Sequence, residues 1–117
     1  MSVRVVFQLI ASSALLFATL ASAAPAYVTC EFTYKGKPEV RKFTLNEDTG
    51  KVSIFYPETA ESQTLQAAFT AENVIFETYS ERYAIIRTSL TGIRQAKLDG
   101  KIEQVQCRLE TPPKRAF

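Results

Sequence analysis

The chain contains no histidine. The commonest general base and the commonest metal ligand are therefore both missing. Cysteine is scarce as well: Cys30 and Cys107 are the only two. Once paired they leave no thiolate for nucleophilic work or zinc binding. The four glycines, Gly36, Gly50, Gly92 and Gly100, stand singly, so no glycine-rich loop can cradle a phosphate. Glu47-Asp48 falls in a turn and Glu58 and Glu61 in a loop, without the facing carboxylates of glycoside hydrolysis. Ser62, Ser80 and Ser89 could each stand near a lysine, but none lies in a nucleophile motif. These absences argue against an enzyme and against any metal or cofactor.

Only one long apolar run exists, Val5–Leu20. It is interrupted by Gln8, Ser12, Ser13 and Thr19 and is shorter than the roughly 20 residues of a spanning helix. Arg4 precedes it and Ala21-Ser22-Ala23 follows, which is the pattern of a cleaved signal peptide. The expectation is a signal over residues 1–23, a cut between Ala23 and Ala24, and a single domain over 24–117. No cysteine follows the apolar run directly, which excludes a lipoprotein anchor. Asn46 and Asn73 lack a hydroxyl two positions on, which removes the glycosylation sequon. A bacterial periplasmic or secreted protein follows, without a transmembrane anchor after cleavage. In that compartment two cysteines bracketing one domain form a disulfide.

Excess charge of one sign is also lacking. The full chain carries a formal net charge of +2, too little for a dedicated nucleic-acid binder. Its distribution is uneven: residues 26–81 are net −4 and residues 82–117 net +5. One reading is internal balance, with two halves of a closed sheet attracting each other. The other is a basic face of Arg82, Arg87, Arg94, Lys97, Lys101 and Arg108 turned toward an acidic protein partner.

What the chain does have is period-two alternation. Val28, Cys30, Phe32 and Tyr34 alternate with polar residues, as do Phe43 and Leu45, then Val52, Ile54 and Tyr56. Leu65, Ala67 and Phe69 follow, then Val74 and Phe76, and finally the runs Tyr83–Leu90, Gly92–Leu98 and Lys101–Leu109. Turn chemistry separates them. Lys35-Gly36-Lys37-Pro38 and Asn46–Gly50 read as hairpin loops, and Asp99-Gly100 as a two-residue type I′ turn. The break at Leu90–Gly92 is weak enough for one long bent strand. Residues 58–73 also contain helix formers, although their alternation favours a strand.

About eight short strands in so short a chain suit an antiparallel meander closed as a barrel or stacked as a sandwich. Phe32, Phe43, Phe69, Phe76 and Tyr56 fall on the inward faces, and Tyr27, Phe55 and Ile86 on the outward ones. Cys30 shares a face with Val28 and Phe32, and Cys107 with Val105 and Leu109, so both point inward. In an up-and-down meander of eight, the first and last strands run antiparallel and can meet. A Cys30–Cys107 bond would lock that seam.

The succession Cys30–Phe32, Ala68-Phe69-Thr70, Val74-Ile75-Phe76, Tyr83–Arg87 and late Cys107 resembles small exported proteobacterial β proteins of unassigned role. More distantly, the chain is similar to bacterial inhibitors of C-type lysozyme, which are small exported barrels with cysteines near both ends. Their Ser-Gly-x-x-Tyr loop has a counterpart in Tyr79-Ser80-Glu81-Arg82-Tyr83, which keeps a serine and a tyrosine but not the glycine. Their Trp-x-Lys-Gly segment has no counterpart. The expectations are thus a non-enzymatic envelope or binding protein, with a hydrolase inhibitor or a carrier of a small hydrophobic ligand as alternatives.

Overall fold

The computed structural model describes residues 24–112. The expected signal over 1–23, including Ala23 of its cleavage site, lies outside them. All regular structure among the described residues is β: β1 (Ala26–Tyr34), β2 (Lys37–Asn46), β3 (Lys51–Tyr56), β4 (Glu61–Phe69), β5 (Asn73–Glu77), β6 (Glu81–Ile86), β7 (Thr91–Ala96), β8 (Ile102–Gln106) and β9 (Arg108–Glu110). The helical alternative for residues 58–73 is thereby excluded. Each strand pairs antiparallel with the next, up to β8, and β9 returns to pair with β1 through Tyr27↔Glu110, Val28↔Leu109 and Thr29↔Arg108. The meander is a nearly closed barrel, not a sandwich.

The ninth strand arises because the last run breaks at Cys107. There the Cys107 N–H still donates to Leu90 O at 2.8 Å, after which the chain leaves β7 and joins β1. The run from Tyr83 stops at Ile86, and loop 87–90 separates it from β7, so the long bent strand does not form. The type I′ turn sits at Lys35-Gly36, where both residues take positive φ (51° and 76°). It is absent at Asp99-Gly100. Ala96 N–H donates to Lys101 O at 2.9 Å, which closes that hairpin two residues earlier and leaves Lys97–Gly100 as a four-residue loop. Leu98 stands at the loop's tip instead of ending a strand.

Pairing is complete at only one end of the barrel. β4 lies along β3 through residues 61–66 but joins β5 only through Ala67–Phe69. β1 meets β9 only at Tyr27–Thr29, and no ladder joins its outer part, Glu31–Tyr34, to β8. Two four-stranded layers, β1–β4 and β5–β8, are therefore sewn together at one end and stand apart at the other. Loops 47–50, 70–72 and 87–90 lie at the joined end. The loops at 35–36, 57–60, 78–80 and 97–100 crown the open end.

Inward alternation fills the middle with Phe32, Phe43, Phe76 and Tyr83. Phe43 and Tyr83 meet edge-to-face at 5.4 Å, and Phe76 stacks on Tyr83 at 5.3 Å. Such pairs add about 0.5–1.5 kcal/mol each beyond the area they bury. Phe69 and Tyr56 pack at the margins of this core. Of the outward set, Phe55 is exposed, and Tyr27 and Ile86 are half-buried.

The expected disulfide is present. Cys30 and Cys107 are buried, 77 residues apart in sequence and 4.4 Å apart at Cα. Gly92 on β7 lies directly against it. A β-carbon there would stand 2.5 Å from the Cys107 sulfur and 3.0 Å from the Cys30 sulfur, so only glycine leaves room for the bond.

Candidate functional site

Where the layers part, the interior turns from apolar to charged. The alternation that buries Phe43 and Leu45 on β2 next buries Arg41, and the alternation through Gly92 on β7 buries Arg94. They are 6 % and 7 % exposed, a burial that guanidinium groups tolerate only with partners. Glu39 spans the two, with one carboxylate oxygen on Arg94 Nη1 and the other 3.3 Å from Arg41 Nη2. Arg41 Nη1 donates to Glu58 at 2.6 Å. Arg94 Nη2 donates to Glu103 at 3.0 Å, and Glu81 lies 3.5 Å from Nη1. Each guanidinium also stacks on a ring at 4.6 Å, Arg94 on Phe32 and Arg41 on Tyr56.

The same network stitches the layers. Arg94 Nη2 donates to Thr33 O at 3.2 Å, and Thr33 N–H donates to Glu103 Oε2 at 2.7 Å. Side chains thus satisfy backbone groups of β1 that a paired strand would otherwise take. Burial works against the charges of Arg41 and Arg94. No single partner outweighs that burial, but hydrogen bonds to Glu58 and Glu39, respectively, together with the attraction of the neighbouring negative charges, do, and both pKa values rise. Glu58 is held below the usual carboxylate range by a backbone hydrogen bond and then by Arg41.

Tyr83 reaches the network from the core, donating its hydroxyl to Glu81 Oε1 at 2.7 Å. Burial, and then this bond to a carboxylate, push its pKa well above the ordinary 10.0. The folded state therefore holds the phenolic proton more tightly than the unfolded chain. This contribution is complete below about pH 10 and is lost as pH rises beyond it. Chemical unfolding across the alkaline range should show stability falling above about pH 10, with a shallower fall in Tyr83→Phe. An identical slope in the variant would contradict this role.

Above the network, the crown is apolar at two points. Tyr79 and Leu98, at the tips of the β5–β6 and β7–β8 loops, are each 98 % exposed. Their loops are nevertheless braced. Glu81 N–H donates to the Thr78 hydroxyl at 3.1 Å, and Thr78 N–H donates to Glu81 O at 2.9 Å. Lys97 N–H donates to Ser80 O at 2.9 Å, and its ammonium to Thr78 O at 2.8 Å. Two large apolar side chains are held out on loops bonded to each other.

The basic residues expected to share one face do not. Arg94 is interior. Arg87 lies at the joined end, donating to both Glu47 oxygens at 2.8 and 3.2 Å and to Thr70 O at 2.8 Å. Arg82 is exposed but bonded to Glu77 at 2.6 Å, and Arg108 to Glu110 at 2.8 Å. Lys97 braces the crown loops, and Lys101 lines the seam between β1 and β8. Charge counting alone does not bring Glu39, Arg41, Glu81 and Glu103 together as a unit. The unit's signal was available: a charged residue at an inward step of a strand must be paired inside.

At the joined end an apolar cup of about 350 Å³ opens over Val28, Leu45, Phe69, Val74 and Ile85, with Arg87 and Glu47 at its rim. Among the described residues, no group of three or more histidine, cysteine, aspartate or glutamate side chains is placed to hold a metal ion. No described helix is long and apolar enough to cross a membrane. No family model, curated protein or solved structure matches the chain.

Proposed function

We propose that the protein is an exported, non-enzymatic binding protein of the bacterial envelope that engages a protein partner through the crown of its open end. The observation that carries this is the braced exposure of Tyr79 and Leu98. Aromatic and aliphatic tips left in water cost little on a loose loop, where they can fold back. On loops fixed by Lys97 and Thr78 they stay presented, and binding then needs little further ordering. Tyrosine is among the usual anchors of protein interfaces, and Leu98 adds a second apolar contact. The buried disulfide is consistent with an oxidising compartment.

The narrower form of this reading is an inhibitor whose Thr78–Arg82 loop enters the cleft of a hydrolase. It is tested by assaying a C-type lysozyme with and without the protein. The broader form is tested by placing a photo-crosslinking amino acid at position 79 or 98, and at Thr49 on the opposite end as a control. Cross-linking is then carried out in the native envelope. One protein adduct shared by positions 79 and 98 and absent at 49 is expected. No adduct, or equal adducts at all three positions, would remove the crown as the contact.

A further inference from the structure

We propose that the open seam between β1 and β8 is a strand-addition site for a short, extended, apolar segment of a partner protein. This rests on the reading of the molecule as a protein-binding module, but it uses a different surface from the crown loops. On β8, Lys101 O and Cys107 N–H bond to β7, which turns the odd residues between them toward β7 as well. The backbone groups of Ile102, Gln104 and Gln106 therefore face β1. On β1, Thr33 turns its N–H and C=O toward β8 and Glu31 shares its direction, yet no ladder forms there. The disulfide closes the inner end of the seam, and the cleft beyond it measures about 550 Å³.

Two unpaired strand edges facing one cleft present alternating donors and acceptors, which an extended backbone matches best. The Arg94 and Glu103 side chains already imitate such a backbone by bonding Thr33, and an occupant's backbone would replace those two bonds while Arg94 keeps Glu39 and Glu81. The side-chain chemistry of the occupant follows from the lining. Lys35, Arg94 and Lys101 are balanced by Glu81, Asp99 and Glu103, so the cleft neither attracts nor repels a charged segment. Recognition beyond the backbone falls to Tyr34 and Ile102, both large and exposed on its flanks. The opposite seam, where β4 runs past β5, has an apolar flank of its own in Leu65 and Ile75, but its outer β4 edge is the polar run Glu61, Ser62, Gln63 and Thr64. The seam is continuous with the β7–β8 loop that carries Leu98, so one partner can cover both.

The test selects binders from a displayed library of random heptapeptides on the oxidised protein. The enriched peptide is then synthesised in plain form and with alternate amides N-methylated. The plain peptide should bind with less than about a twofold change between low and high salt, and the methylated one should not bind. Gln104→Pro removes an N–H that faces the seam and not β7, so the barrel keeps its ladder while peptide affinity falls at least about tenfold. Tyr79→Ala should leave peptide binding unchanged. An empty selection, or peptides that tolerate N-methylation or Gln104→Pro, would overturn the proposal. Peptides lost in Tyr79→Ala but kept in Gln104→Pro would also overturn it, while supporting the crown as a protein-binding surface.

Discussion

Replacing Cys30 and Cys107 together by alanine is expected to lower stability by about 4.5 kcal/mol, the chain-entropy value for a loop of this length. The bond spans 77 residues and closes the barrel where β9 is only three residues long, so little else holds that corner. Denaturant midpoints of the oxidised protein and the double variant measure the loss. A loss below about 1 kcal/mol would mean that the β1–β9 ladder closes the barrel unaided. Gly92 supplies a second check. Gly92→Ala should destabilise the oxidised protein through its contact with both sulfurs, and the penalty should shrink in the double-alanine background, where the sulfurs are gone.

Arg94→Met should cost about 3 kcal/mol, the low end for breaking a buried ion pair, because its carboxylate partners keep some contact with water. The substitution retains an apolar stem over Phe32 but takes from Glu39, Glu81 and Glu103 the guanidinium they share, leaving Arg41 on Glu39 alone of the three. It also removes the bond to Thr33 O that draws β7 toward β1. Added salt should screen the mutual repulsion of the three carboxylates, so the gap between variant and wild type should narrow as ionic strength rises. A constant gap would assign the loss to packing alone. This corrects the simplest surface reading of Arg94, in which a charge change there would alter binding and leave the fold untouched.

Most of the barrel was legible because its code is local. Alternation at Val28-Cys30-Phe32 and at Val52-Ile54-Tyr56 fixes which side of each strand faces inward. The same parity brings the two cysteines to one side of the wall. Turn details were less legible. Asp99-Gly100 has the composition of a type I′ turn, but the register of β7 on β8 places the pair inside a longer loop, and register depends on both strands at once. Charge alone assigns Arg94 to the surface, whereas its step along β7 assigns it to the interior. Tyr79 and Leu98 could not be placed from sequence, since their importance lies in bonds made by Lys97 and Thr78 across two separate hairpins.

The barrel is asymmetric, sewn shut at one end and holding braced loops over an open seam at the other. Residue-resolved amide hydrogen exchange on the oxidised protein tests it most directly. The N–H of Cys107, bonded to Leu90 O, and the N–H of Lys97, bonded to Ser80 O, should exchange slowly. The N–H of Gln104, turned toward the seam, should exchange orders of magnitude faster despite its place in a strand. A Gln104 amide as protected as that of Cys107 would show a closed ladder, and a Lys97 amide as fast as that of Gln104 would show crown loops that are not braced; either result would contradict the account.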